Sequence, residues 1–392
     1  MASLSKFALW CVLGLMFTFT VLVYISPSKQ STQTVLSINK ENEITEFGEA
    51  QNFEIHHRDR ATPDDTVQRH VSIAASPSEL PQRDTQLFRL NQSFDEEMDF
   101  MRKLSAVHKH RRAVVDSVCK KYHPNPESDV AKHPPWNILV DEKYKIMYCY
   151  VQKVACTNWK KVFLVLSGQY NNTDTIPQFF TNRQGGKMLK SLSDYTESQR
   201  RTILRDYTKF MFARHPFSRV LSAYRNKLAP DSTFARAQKW QKRVGQKIIK
   251  RYRPAADRAE SQNKSQQKYD LSFDEFVKFV VNGRKGFKGG NKHWRDLHVS
   301  CLPCLINYDV IGKMETISED ARYILTLTGA KAAVSFPSAQ GSSPTNSSDP
   351  DLIQKYFGNL PSEDITQLYK RYLIDFLMFD YHATVDGVLD VR

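Results

Sequence analysis

The chain has 392 residues, 41% hydrophobic and 25% charged, with a formal net charge of +14. That balance fits a folded protein of one large domain or two ordinary ones. The excess of positive charge favours acidic partners, whether nucleic acid, anionic lipid or polyanionic sugar, and does not choose among them.

The amino terminus narrows the choice. Phe7 to Ile25 is nineteen residues without a charge, about the length that crosses a bilayer as a helix. A cleaved signal peptide would have a shorter apolar core, about 7–15 residues, and a small-x-small site; here the run ends in Ser26-Pro27. The expectation is an uncleaved signal anchor at 7–25. Residues 1–6, with Lys6, form a cytoplasmic tail, and everything beyond is lumenal. A lumenal chain has no nucleic-acid partner. Four sequons, at Asn91, Asn171, Asn263 and Asn346, agree with that side of the membrane.

Residues 26–114 read as a lumenal stem, partly disordered, polar at first ("SPSKQSTQT", "DRATPDDTVQRH") and basic and helical from about 98. The folded domain is expected over 115–392. Five cysteines fall on the lumenal side: Cys119, Cys149, Cys156, Cys301 and Cys304. Five is odd, so at least one thiol stays free or pairs between chains. Cys301-Leu-Pro-Cys304 is one pair where a structural zinc site needs about four ligands. Disulfide use is expected instead, with the pairing open, and no metal is required.

In the domain, "YKIMYCYV" (144–151) reads as a buried strand, and Trp159, Val162, Phe163 and Leu166 recur at helical spacing after it. "YTKFMFA" (207–213) and the helix from Phe217 to Leu228 repeat the unit. "YDVIGKME" (308–315) begins a third, with Ser318 as expected helix N-cap. Alternating strands and helices predict an α/β domain with a central, mostly parallel sheet flanked by helices. Ligands bind such sheets at the carboxyl ends of the strands.

Two loops lie at such ends. "QKVACTNWK", Gln152 to Lys160, offers free amides at a helix start, the charge of Lys153, and donors on Thr157 and Asn158, a build for phosphate or sulfate. It has no glycine, which excludes a Walker loop. In "RHPFSRVLSAYRNK" (214–227), Arg214 can fork onto a phosphate and Ser222 can add a hydroxyl one turn past Arg219. Val220, Leu221 and Tyr224 would bury the other face.

These two loops, about sixty residues apart, together with "YDVIGKMETISEDARYIL" and "QLYKRYLIDFLMFDY", resemble the Golgi carbohydrate sulfotransferases of the chondroitin 4-O, dermatan 4-O and HNK-1 group. Within the group, "YCYVQKVACTNWK", "SAYRNK" and "YDVIGKMET" look most like chondroitin 4-O-sulfotransferases. One departure is Gln152, where the family's pattern carries proline.

The resemblance implies a type II Golgi membrane enzyme with the 3′-phosphoadenosine 5′-phosphosulfate (PAPS) sulfotransferase fold. It implies that Gln152, Lys153, Val154, Ala155, Cys156, Thr157 and Asn158 hold the 5′-phosphosulfate, with Lys153 as main cation. Arg214, His215, Pro216, Phe217, Ser218, Arg219, Val220, Leu221 and Ser222 hold the 3′-phosphate. A base must take the acceptor proton. "NKHWRDLHVSC" offers His293 and His298, and a similar His-Trp pair in the family points to His293.

Between Ser232 and Ala256 there are eight basic residues and no acid. Lys239, Lys242, Arg243, Lys247, Lys250 and Arg251 from that run are expected to bind an acidic glycosaminoglycan or proteoglycan acceptor. The leading reading is sulfation at O4 of N-acetylgalactosamine in chondroitin. The alternatives are dermatan, a terminal glucuronate or N-acetylgalactosamine, and, outside enzymes, a membrane-tethered glycosaminoglycan-binding protein.

Overall fold

The computed structural model describes residues 80–123, 128–255, 269–283, 291–337, 345–385 and 389–391. The expected anchor at 7–25, most of the stem and Asn263 lie outside them. Among the described residues no helix is long and apolar enough to cross a membrane. Asn171 and Asn346 are exposed, and Asn91 lies in the first helix.

Strands β1 (Ile138–Asp141), β2 (Ile146–Cys149), β3 (Thr208–Ala213) and β4 (Val310–Lys313) form one sheet in that order. β2, β3 and β4 run parallel, with Tyr148 opposite Phe210 and Phe210 opposite Val310. β1 adds an antiparallel edge, Ile138 facing Cys149. The sheet is thus mixed. The parallel strands are buried along nearly their whole length, as they must be when helices cover both faces. Gly312 in β4 makes room for a neighbour: a Cβ there would lie 2.3 Å from the Phe212 ring.

Each parallel strand runs into a helix: α2 (Cys156–Leu166), α3 (Pro216–Lys227) and α5 (Ile317–Leu327), with α4 (Phe273–Asn282) between the last two and α6 (Ser362–Met378) near the end. The residue preceding α5 is Thr316, not the expected cap Ser318, and its side chain makes no capping bond to the backbone. The Thr316 hydroxyl donates instead to the Asp320 carboxylate at 2.7 Å. Tyr148, Phe210 and Trp159 stack in the core around the sheet. A second core joins Phe217 and Leu221 of α3 to Phe276 of α4 and Tyr372 and Phe376 of α6.

Helix α1 (Leu80–Tyr122) packs against this body well before residue 115, where the sequence places the start of the domain. Leu104 and His108 are buried, and Arg111 donates to the Ile311 carbonyl and to Asp320, both at 2.9 Å. Glu97 accepts from Lys331 at 2.8 Å. Two disulfides, Cys119–Cys304 and Cys149–Cys301, leave Cys156 as a free thiol. The cysteines of the Cys-x-x-Cys pair therefore do not join each other. One ties the following loop to α1 and the other ties it to β2.

Candidate active site

Parallel pairing sets the carboxyl ends of β2 and β3 one strand spacing apart, about 4.8 Å, so the two loops lie side by side. In the first loop Lys153 (φ 72°) and Ala155 (φ 49°) are both left-handed. For residues with a side chain that conformation costs about 1–2 kcal/mol each. Buried Val154 holds the turn from inside. Arg219 Nε, from α3, donates to the Gln152 carbonyl at 3.2 Å, and Arg214 Nη1, from the turn before α3, to the Lys153 carbonyl at 3.1 Å. Those two bonds give the loop the stiffness that a proline at 152 would otherwise supply. A turn of this kind gathers amides into an anion-binding concavity. α2 then starts with no side-chain cap and no acid in its first turn. Thr157 pairs with the carboxamide of Asn182 at 3.2 Å.

The second loop differs from the expected amphipathic helix. α3 is buried on every side from Pro216 to Tyr224, so its arginines do not stand on a solvent rim. Arg219, 1% exposed, gives its guanidinium to the carbonyls of Gln152, Arg295 (2.6 Å) and Lys292 (3.5 Å). It is a strut between α3 and two loops. Phe217, Val220 and Leu221 belong to the second core, and Ser218 is buried beside them. His215 hydrogen-bonds the His382 carbonyl through Nε2 at 2.9 Å, and its backbone N–H donates to Glu315. Burial holds its pKa below the usual range.

Arg214 and Ser222 come together with partners that no sequence pattern marked. Arg214 Nη2 donates to Ser348 Oγ at 3.0 Å, and its buried Nε has no partner among the described residues. The Ser222 and Thr345 hydroxyls are 2.9 Å apart, and Arg225 donates to the Thr345 carbonyl. Thr345 and Ser348 are 123 and 134 positions beyond their partners Ser222 and Arg214. Arg225 had a signal, since it falls one turn after Ser222 in the same motif.

The site is crowded with positive charge. Burial, then repulsion from Lys227, Arg214 and Arg219, lowers the Lys153 pKa to about 7. Burial lowers Arg214 to about 10 and Lys227 to about 8. Among the described residues none of these cations forms an ion pair with a carboxylate. His293, 8% exposed, has Nδ1 2.9 Å from Asn291 Oδ1. Nδ1 therefore carries the proton, and Nε2 keeps its lone pair. Burial and the charges of Lys227, Lys153, Lys292 and Arg219 push its pKa down to about 2. The ring nearest to it is Trp240, edge-on at 4.9 Å, rather than Trp294 at 6.5 Å. His298 instead bonds Asp375 of α6 at 2.7 Å.

A cavity of about 450 Å³ opens along the first loop, between Lys153, Cys156, Thr157 and Asn158 on one wall and Ile317, Leu325 and Phe336 on the other. An orphaned guanidinium N–H and uncompensated buried cations fit a polyanionic nucleotide. Among the described residues no group of three or more His, Cys, Asp or Glu could hold a metal ion. Lys239, Lys242, Arg243, Lys247, Lys250 and Arg251 are all exposed on the helical run 237–252. Arg253 is instead paired with Glu275 and Asp270, each at 2.8 Å.

The α/β fold and the two cation-lined loops fit an enzyme that takes a nucleotide with two anionic groups. The sulfotransferase family model matches residues 136–382, and the chain belongs to that family. It is 37% identical over 246 residues to carbohydrate sulfotransferase 11 of Rattus norvegicus, covering 62% of this chain and 67% of that protein. It is 38% identical over 248 residues to carbohydrate sulfotransferase 14 of Danio rerio, 62% of each chain. To carbohydrate sulfotransferase 9 of Homo sapiens it is 32% identical over 282 residues, 71% of this chain and 61% of that protein. No solved structure matches. Within its family the chain is a carbohydrate sulfotransferase, with PAPS as its sulfuryl donor.

Proposed function

We propose that this enzyme sulfates O4 of N-acetylgalactosamine in chondroitin, from the lumenal side of the Golgi membrane, tethered by residues 7–25. The observation that carries the chemistry is a neutral histidine, His293, in the field of Lys153, Lys227 and Lys292, none of which forms an ion pair with a carboxylate among the described residues. The chondroitin acceptor is supported by the likeness of "YCYVQKVACTNWK", "SAYRNK" and "YDVIGKMET" to chondroitin 4-O-sulfotransferases.

The amides of 152–158 and Lys153 would hold the 5′-phosphosulfate, and Arg214 and Ser222 the 3′-phosphate. The bound donor supplies a sulfuryl group on a phosphate leaving group. His293 Nε2 takes the proton of the acceptor hydroxyl, with Asn291 fixing the tautomer. Lys153 stabilises the negative charge that develops as the bond to the leaving oxygen breaks.

The test incubates the full chain with labelled PAPS and, in parallel, with desulfated chondroitin, desulfated dermatan and oligosaccharides ending in glucuronate or N-acetylgalactosamine. Label at O4 in chondroitin disaccharides, lost in Lys153→Ala, is the expected result. Transfer only to dermatan or to a terminal sugar would overturn the chondroitin acceptor while keeping the donor site.

A further inference from the structure

Two large apolar side chains stand exposed near the site: Trp136 at 48% and Phe179 at 59%. Both are dressed with cations. Lys292 Nζ lies 5.6 Å from the centre of the Trp136 ring. The guanidinium carbons of Arg183 and Arg236 lie 4.9 and 5.1 Å from that of Phe179. Tyr150, edge-on to Trp136 at 5.6 Å, has Lys160 Nζ 4.0 Å over its own ring.

Lys227 links the two ends. It is only 8% exposed, with Nζ 3.4 Å from the centre of Phe234 and 5.8 Å from that of Trp240. The charges of Lys292 and Arg236 act on Lys227, that of Lys292 acts on Lys160, and Lys227 and Lys292 both act on His293. One continuous positive field therefore runs from Phe179 to Trp136 and takes in the histidine. Among the described residues neither Lys160, Lys227, Arg236 nor Lys292 forms an ion pair with a carboxylate. A lysine held by aromatic faces, with no carboxylate partner among the described residues, is open to an anion from outside. Trp240, the ring shared by Lys227 and His293, puts the lysine on the histidine's side. Aromatic faces alternating with cations match an acidic polysaccharide, in which apolar C–H faces of the sugar rings alternate with carboxylates.

We propose that Trp136, Phe179, Lys160, Lys227, Arg236 and Lys292 form the acceptor cleft, in which Lys227 receives the carboxylate of the uronate next to the sugar that is sulfated. This rests on the sulfotransferase roles given to Lys153 and His293. It leaves the exposed run from Lys239 to Arg251 as an outer field that steers the polymer inward.

The test measures binding to the full chain, saturated with 3′-phosphoadenosine 5′-phosphate (PAP), of a chondroitin oligosaccharide and of its carboxyl-reduced form, in which each uronate is a neutral sugar. Wild type should bind the intact form about tenfold or more tightly. Lys227→Gln should abolish that preference with PAP kept saturating. Lys292→Gln, at an exposed position that does not threaten folding, should weaken the intact form by up to about fivefold and the reduced form not at all. Trp136→Ala should weaken both forms alike, by about tenfold.

Equal binding of the two forms by wild type overturns the cleft. So does unchanged binding in Lys227→Gln and Lys292→Gln when neutralising Lys239, Lys242 and Arg243 abolishes it. If wild type ignores chondroitin but binds desulfated dermatan with the same dependence on carboxylate and Lys227, the cleft stands and the chondroitin reading fails.

Discussion

Replacing Arg214 by alanine separates the two ends of the donor site. The side chain has five N–H donors. One Nη1 bond goes to the Lys153 carbonyl, one Nη2 bond to Ser348 Oγ, and buried Nε has no partner among the described residues. A hydrogen bond to a charged group contributes about 1.5–3 kcal/mol, and truncating a buried charged partner costs about 2–5 kcal/mol. Because two of Arg214's groups already serve the protein, the lower part of that range applies. A loss of about 2–3 kcal/mol is a Kd increase of about 30- to 150-fold. The bond to Lys153 complicates a single measurement, since alanine also loosens the first loop. Titration calorimetry with two ligands resolves this: PAP, which has the 3′-phosphate, and adenosine 5′-phosphate, which lacks it. The full loss should fall on PAP, with adenosine 5′-phosphate weakened by only a few-fold. Ser348→Ala should follow the same selectivity at about 2- to 10-fold, the scale of one neutral hydrogen bond. Equal weakening of both ligands by Arg214→Ala would show that the residue only scaffolds the first loop, and the 3′-phosphate assignment would be wrong.

Three further outcomes follow from the charge state and the cross-links. The free-enzyme pKa of Lys153, about 7 against an ordinary 10.5, means that the donor binds best to its protonated form; PAP affinity should fall as pH rises through 7 to 9, with proton uptake in calorimetry across buffers, and Lys153→Arg should flatten both. His293→Gln should lower kcat by about 10²- to 10⁴-fold and leave the PAP Kd nearly unchanged, whereas a packing role would lower the melting temperature and leave kcat close to wild type. Replacing Cys119 and Cys304 by serine should cost about 2–5 kcal/mol in denaturant unfolding, with PAP affinity retained, because that bridge joins α1 to the loop after residue 301 and does not touch either donor loop.

The elements legible in the sequence are those whose signal is local. β2 and β3 are continuous apolar runs because helices cover both faces, and the loops after them show their donors in the order in which the backbone presents them. β1 has only four residues and gains its identity from pairing with β2. Helix α3 was misleading for a physical reason. Arginines spaced along a helix normally face water, but the carbonyls of Gln152, Arg295 and Lys292 satisfy Arg219 inside the protein. Thr345 and Ser348 carried no signal, because short hydroxyl residues in a loop look alike whether they meet solvent or Ser222 and Arg214. Ser318 looked like a cap, yet Asp320 captured the hydroxyl of Thr316.

What the site lacks explains its behaviour better than what it contains. Arg111 is paired with Asp320 and Arg253 with Glu275. Around His293, Lys227, Lys153 and Lys292 form no ion pair with a carboxylate among the described residues, and repulsion between neighbouring cations adds to burial in lowering both Lys153 and His293. Unpaired buried charge destabilises a fold, so the two left-handed residues and the arginine struts hold a loop that would otherwise spread its charges. An anion bound there relieves the repulsion. It raises the affinity of Lys153 for its proton and lets His293 Nε2 act as a stronger base. In the proposed roles, the same negative charge would fill the donor site and prepare the histidine.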